Sequence, residues 1–216
     1  MGADEAAPAS CVESRPSGSR SIPMAMKDSA TGYGWASILL HWFTAIVIVV
    51  MLYVGSSIGG LLGAERQSTL VLHTSIAVTT YLILWLRVVW RLVYRHPGPL
   101  PEQSRFFFAI GRWVHSIMLW ALAGMLISGP LMLWAMGEPI EVFDWFAIPA
   151  PFAAHAGFGS LMHTVHRSAA IVLFIGILLH IGGVYKHTAF NQDGTLTKII
   201  IPAEDSAVGA ASSRDS

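Results

Sequence analysis

The sequence predicts an all-α membrane protein, a bundle of four transmembrane helices with both termini on the cytoplasmic side. Only 12% of the 216 residues are charged and 54% are hydrophobic, whereas a soluble domain averages ~25% charged residues. Four long apolar segments predict the helices, at about residues 38–58, 70–92, 113–135 and 161–186. Each reaches the ~20 residues that a helix needs to cross the hydrocarbon core. Backbone groups in lipid must be satisfied within the segment, which favours helices.

The remaining sequence divides the chain into a central domain and two tails. Residues 1–30 are rich in small, polar and charged residues and contain no apolar run, so they predict a disordered cytoplasmic tail. Residues 201–216 are again small and polar and predict a second disordered tail. The four-helix domain therefore covers residues 31–200.

Charge and cysteine content exclude several classes of function. The formal net charge is zero, so no basic surface indicates a nucleic-acid partner. Cys11 is the single cysteine. A single cysteine cannot form a disulfide framework, a cysteine-held iron–sulfur cluster or a Cys-x-x-Cys-His site for covalent haem.

The distribution of lysine and arginine predicts the orientation. One side of the predicted bundle carries most of these residues: Arg15, Arg20, Lys27, Arg91, Arg95, Arg105, Arg112, Lys186 and Lys198. The other side carries few cations and several acids: Arg66, Arg167, Glu65, Glu138, Glu141 and Asp144. Because cytoplasmic loops carry an excess of Lys and Arg, we expect both termini to lie in the cytoplasm.

Four histidines lie within the apolar segments, about one turn or more from an end, and these are the candidate functional residues: His41, His73, His166 and His180. Ionisable residues inside a membrane span are costly, so each one is a functional hypothesis. Their predicted depths match in pairs. His41 and His180 lie near the cytoplasmic end, and His73 and His166 lie near the outer end.

The spacing of His166 and His180 indicates what the pairs hold. They are fourteen residues apart, which places both rings within about 40° of one helix face and ~21 Å apart along the axis. Two such histidines, each matched in depth by a histidine on another helix, predict two stacked haem sites. Imidazole on both axial positions suits electron transfer rather than oxygen binding.

Two alternatives exist for these histidines. Intramembrane histidines also serve as hydrogen-bonding residues between helices, although four in depth-matched pairs are hard to explain in this way. A metal transporter would usually add Asp, Glu or Cys at mid-membrane, and the predicted spans contain none.

The order and spacing of several short stretches resemble the prokaryotic cytochrome b561 family over roughly residues 35–200. The stretches are Leu40-His41-Trp42, the run from His73-Thr74 through Arg87 and Arg91 to Pro97, Val114-His115, and His166 with His180. The resemblance implies a di-haem cytochrome b of the bacterial inner membrane. It also implies that His41 and His180 hold the cytoplasmic-side haem iron, and His73 and His166 the outer one.

Further residues are candidates for supporting roles. Arg87 and Arg167 could bind haem propionates, since an arginine fork suits a carboxylate; either could instead be an interfacial anchor. The family also has a histidine at the position of His115. This residue could support the cytoplasmic haem or a quinone, or could simply lie at the membrane–water interface. His163 is predicted to face ~60° away from His166 and is left out of the ligand set. Gly55 and Gly59 predict either a close approach of a helix or porphyrin, or a helix end.

The resemblance implies electron exchange between an outer donor or acceptor and the membrane quinone pool, as part of a respiratory chain. An alternative is a membrane-anchor cytochrome b subunit of a dehydrogenase or hydrogenase, with a basic periplasmic protein docked on the acidic outer loop. Some family members are oxidoreductases that oxidise superoxide and reduce quinone. The acids Glu138, Glu141 and Asp144 argue against an anionic substrate here, because capture of superoxide is helped by a positive surface.

Overall fold

Four long helices make up most of the described chain. The computed structural model describes residue 28 and residues 32–94, 105–186 and 199–200. The helices within these ranges are α1 (Trp35–Ile58), α2 (Gly63–Val93), α3 (Arg105–Ala135) and α4 (Ala156–Lys186). Each contains a stretch long and apolar enough to cross a membrane. The predicted all-α bundle of four membrane-spanning helices is confirmed, and the side on which the termini lie stays a prediction.

The predicted tails are not part of this description. Residues 1–30, apart from residue 28, and residues 201–216 lie outside the described residues.

The helices extend beyond the apolar segments that predict them. Helix α2 begins seven residues before Leu70, and α3 begins eight residues before Trp113. A helix of 31 residues is ~46 Å long, against a hydrocarbon core of ~30 Å. The additional turns carry polar residues such as Glu65 and Arg112. Apolar runs therefore predict the membrane-embedded part of each helix and miss the part that continues into the interface.

The outward-facing surface of the bundle is apolar, and polar side chains lie inside. Leu82 is 80% exposed, whereas Ser75 and Ser128 are 0% and 1% exposed. Soluble proteins show the opposite tendency. This distribution suits a protein whose surroundings are lipid tails.

Small residues set how closely the helices approach. Helix α3 packs mainly against α4, and α1 mainly against α2. A Cβ atom on Gly176 of α4 would lie 2.6 Å from Met118 Cγ of α3, and one on Gly159 would lie 3.2 Å from Met136 Cγ. Glycine at these positions allows the close backbone approach typical of membrane helix pairs.

A short β-hairpin closes one end of the bundle. Strands β1 (Ile140–Val142) and β2 (Phe146–Ile148) pair antiparallel in the connection between α3 and α4. The Thr74 hydroxyl of α2 donates to the Glu141 carbonyl at 2.6 Å, and the Phe143 amide donates to the Ser75 hydroxyl. The sequence predicts only an acidic loop here. The hairpin takes its order from these hydrogen bonds to α2, which a local sequence pattern does not reveal.

Candidate functional site

Two histidines meet at the hairpin end of the bundle. His73 of α2 and His166 of α4, hereafter the hairpin-side pair, have ring centroids 6.3 Å apart and ring planes at 78°. Both rings line a cavity shared by all four helices and by Ile140 of the hairpin. The sequence predicts this pairing from depth alone, and the structure brings the two rings together.

The other two predicted histidines meet at the opposite end, where α1 begins and α4 ends. His41 of α1 and His180 of α4, hereafter the termini-side pair, have centroids 6.2 Å apart at 71°. The spacing of fourteen residues from His166 to His180 separates the two pairs by ~21 Å along α4.

The separation within each pair fits one metal ion between the rings. Bonds from a metal to an imidazole nitrogen measure ~2 Å, so two rings on opposite sides of one ion have centroids about 6 Å apart. The observed separations of 6.2 and 6.3 Å match this value. A cluster of three or more metal-binding side chains of the kind that encloses a bare ion is absent from the described residues. Two histidines without further ligands suit a metal that brings its own equatorial ligands.

The hairpin-side cavity has the chemistry for a large apolar ligand. It holds about 860 Å³ not occupied by protein atoms, part of which is open to the surroundings. Apart from the two histidines, its polar lining side chains are Thr74 and Tyr81, and the rest of the lining is apolar. An apolar macrocycle would be well solvated here, whereas a hydrated ion would not.

Two glycines make room for the hairpin-side rings. A Cβ atom on Gly55 of α1 would lie 2.9 Å from His73 Cε1, and one on Gly129 of α3 would lie 3.4 Å from His166 Cε1. The first distance is shorter than real Cβ contacts allow. The sequence allowed two interpretations of Gly55 and Gly59, a close approach by another group or a helix end. Gly55 shows the close approach, that of the His73 ring. Gly59 is a helix end, the C-cap of α1.

The hydrogen bonding of the hairpin-side rings is uneven. The Nδ1 of His166 lies 3.2 Å from the Ser128 hydroxyl of α3. His73 Nδ1 is fully buried and has no hydrogen-bond partner among the described residues. A histidine kept only for hydrogen bonding between helices would not leave its ring in this state. This observation weakens the structural alternative for His73.

Three histidine rings converge at the termini-side pair. His115 of α3 lies with its ring centroid 4.7 Å from that of His180. Its Nδ1 lies 2.7 Å from the Gly111 carbonyl, so Nδ1–H donates and Nε2 is left with its lone pair. His115 therefore lies beside the predicted ligand His180. Its position in the sequence alone does not indicate this contact.

The predicted arginines differ in their surroundings. Arg87 and Arg91 both act electrostatically on His41, and Asp28 lies close enough to act on Arg87. Arg167 is exposed and is not part of the hairpin-side cavity lining. His163 is also exposed, which agrees with leaving it out of the ligand set.

Known proteins resemble this chain over most of its length. The family model for prokaryotic cytochrome b561 matches residues 32–201. The chain belongs to the prokaryotic cytochrome b561 family. It is 31% identical over 182 residues to "Cytochrome b561 homolog 2" of Escherichia coli (strain K12), covering 82% of this chain and 95% of that protein.

Membership of the b561 family settles the general function. The protein is a bacterial membrane cytochrome of the b type that takes part in electron transfer, and its cofactor is haem b. The residues present fit this group: paired imidazoles at the spacing of one iron, an apolar cavity, and glycines behind the rings.

Sequence reasoning missed Ser128 and Gly129 at this site. Both lie on α3, which carries none of the four paired histidines. The sequence Ser128-Gly129-Pro130 inside an apolar segment could have drawn attention to this position. A proline within a helix leaves a backbone carbonyl without its hydrogen bond, and nearby small or hydroxyl side chains help to accommodate it.

Proposed function

We propose that the chain carries electrons across the membrane through two b haems, one held by each histidine pair. The electrons would pass between a donor or acceptor on the hairpin face and the membrane quinone pool. The observation that supports this proposal most strongly is the repeated geometry of the two pairs. Their centroid separations differ by only 0.1 Å, and one helix, α4, supplies a ring to each.

Haem iron, when bound, supplies one-electron exchange. The chain's own contribution begins with the four imidazoles. With haem bound, the two imidazoles of each pair would hold its iron, an arrangement that suits electron transfer rather than oxygen binding. His73 and His41 reach the α4 rings from α2 and α1, so each site is held between two different helices.

The space between the two pairs is lined by apolar side chains. Leu173 lies midway between His166 and His180 on α4 and is 1% exposed. It belongs to a cluster with residues of all the other helices, Val47, Leu84, Val88, Leu122, Ala123 and Leu126. Most of these side chains also line the histidine cavity, so the region between the sites is apolar and disfavours water. It favours passage of electrons and opposes passage of protons or ions.

Charged groups at the termini-side pair suit the anionic edge of a haem. Arg87 and Arg91 lie one turn apart on α2, and both are close enough to His41 to interact with it electrostatically. A guanidinium group binds a carboxylate through two parallel hydrogen bonds. We assign Arg87 to a haem propionate, while the exposed Arg167 is the weaker candidate at the other end.

The described cations support the proposed orientation. The termini-side end of the bundle carries Arg87, Arg91, Arg105, Arg112 and Lys186, whereas the hairpin end carries Arg66 and Arg167. Under the positive-inside rule, the hairpin then faces the periplasm and the termini-side pair lies towards the cytoplasm.

A polar vestibule on the hairpin face is the proposed place of electron exchange on that side. Arg66, Gln67, Glu138 and Glu141 contribute to its lining, and Gln67 donates a hydrogen bond of 3.2 Å to the Glu141 carboxylate. Leu70, Thr74 and Leu133 line both the vestibule and the histidine cavity. A single layer of side chains therefore separates the aqueous face from the hairpin-side pair. Acids outnumber cations in the vestibule, which favours a basic partner over superoxide.

Anaerobic reduction by quinol tests this function. We expect a ubiquinol analogue to reduce both haems of the purified protein in lipid vesicles, because two haems accept the two electrons of one quinol. Absorbance spectra measure the reduction, and protein-free vesicles and the His41→Ala variant are the controls. Failure of quinol to reduce either haem, together with failure of quinone to reoxidise them, would contradict the proposal. Faster reduction by superoxide than by quinol would make superoxide the outer substrate.

The hairpin favours one second candidate function, that of a membrane-anchor subunit. Phe143, Trp145 and Phe146 are 38%, 69% and 53% exposed beside Asp144. Aromatic residues among acids suit a partner protein with a basic rim. Purification at physiological salt separates the two functions. A stoichiometric redox protein that copurifies would identify a subunit, and its absence would favour a stand-alone cytochrome.

A further inference from the structure

We infer that Ser128 sets the redox potential of the hairpin-side haem through a hydrogen bond to His166. The inference rests on the proposed function, since it requires His166 to be an iron ligand. It adds a residue that neither touches the iron nor lies on a helix that carries a paired histidine.

The geometry around Ser128 determines the direction of the hydrogen bonds. Its hydroxyl lies 2.6 Å from the Gly124 carbonyl and 3.2 Å from His166 Nδ1, and the residue is 1% exposed. A carbonyl can only accept, so the single hydroxyl proton is donated to Gly124. The Ser128 oxygen then accepts from His166, which places the imidazole proton on Nδ1. The lone pair of Nε2 is left for a metal.

This hydrogen bond makes His166 a stronger ligand. An imidazole that donates its other N–H gains basicity at the metal-binding nitrogen. A more basic ligand stabilises ferric iron relative to ferrous iron, and hydrogen bonding to an axial ligand is an established means of changing haem potential. The Met125 carbonyl also lies within hydrogen-bonding reach of His166. Ser128 is the part of this arrangement that a side-chain substitution can remove.

The opposite ligand has no corresponding support. His73 Nδ1 is buried and finds no hydrogen-bond partner within the described ranges. One axial ligand is thus polarised by the protein and the other is not. Among the described side chains, Ser128 is therefore the one through which a substitution can change the hydrogen bonding of this histidine pair.

The termini-side pair provides an internal reference. Ser128 lies beside His166, ~21 Å along α4 from His180. A change at position 128 should therefore act on one haem and leave the other unchanged.

Potentiometric titration of the Ser128→Ala holoprotein tests the inference. We expect the hairpin-side haem to become easier to reduce, with its equilibrium constant for reduction raised about three- to tenfold. A tenfold change corresponds to 59 mV for one electron, so the potential should rise by ~30–60 mV. The potential of the termini-side haem should not change. The Ser128→Thr variant keeps the hydroxyl and should restore the wild-type potential.

A matched control comes from α2. The Thr80 hydroxyl donates to the Ile76 carbonyl at 2.7 Å, one turn back, as Ser128 does to Gly124. Thr80 is not part of the histidine cavity lining. The Thr80→Ala variant loses the same kind of backbone hydrogen bond and should leave both potentials unchanged.

Each outcome decides a different part of the proposal. Two haems with unchanged potentials in Ser128→Ala would overturn the inference and leave the proposed function intact. Fewer than two haems in the wild-type protein would overturn the proposed function itself. If Ser128→Ala lost its haem, the Ser128→Cys variant, whose sulfur is a weak acceptor, would decide. A raised potential supports the role of Ser128, and an unchanged one contradicts it.

Discussion

Replacing His73 or His166 by alanine is expected to remove one haem from the protein and to leave the other in place. Each ring is half of a pair whose centroids lie 6.3 Å apart, and one imidazole cannot fill both axial positions. Replacing His41 or His180 should remove the other haem for the same reason. Haem content per chain, measured as the pyridine haemochrome, should fall from about two to about one in each variant.

The His163→Ala variant is the control for this experiment. His163 lies on the same helix, three residues from His166, but its side chain is exposed. It should retain both haems. Loss of a haem from His163→Ala with retention in His166→Ala would show that the wrong face of α4 has been assigned.

Gly55→Val is expected to prevent binding of the hairpin-side haem while leaving the termini-side haem bound. Even the Cβ atom of a larger residue would lie 2.9 Å from His73 Cε1, and the branches of valine would occupy still more of the space behind the ring. An iron-bound imidazole cannot move aside without losing its ligand geometry. Haem content should fall to about one per chain, with His41 and His180 still providing a complete pair.

Gly59→Val provides the matched control. Gly59 lies one turn further along the chain and has a φ of −65°, which any residue adopts. A Cβ atom added at this position would meet no neighbouring atom of the described residues within 4 Å. The variant should bind both haems. Equal haem content in Gly55→Val and Gly59→Val would contradict the role of Gly55 as clearance for the His73 ring.

Much of the fold could be predicted from the sequence because lipid imposes simple rules. A helix that must satisfy its own backbone across the hydrocarbon core requires a continuous apolar run, and four such runs correspond to α1 through α4. The pairing of His73 with His166, and of His41 with His180, was predictable because depth in the membrane is a nearly one-dimensional coordinate. Position along a helix converts directly into depth through the rise per residue.

The rest of the site depends on contacts that such rules do not describe. Ser128 lies on α3 and contacts His166 on α4. Because the two residues are on different helices, no spacing pattern in the sequence links them. His115 likewise approaches His180 through the close packing of α3 on α4. The strands after α3 contain β-branched and aromatic residues, but the place of the hairpin against the bundle depends on hydrogen bonds from its backbone to Thr74 and Ser75.

The ratio of haem to protein in the purified wild-type chain is the most direct test of the central claim, that each histidine pair holds one haem. The two pairs have nearly equal ring separations of 6.2 and 6.3 Å, so both should be filled. We expect about two haems per chain, both six-coordinate and low-spin, since imidazole fills both axial positions. A ratio close to one, or a high-spin spectrum that responds to added carbon monoxide, would contradict the assignment of two bis-histidine sites.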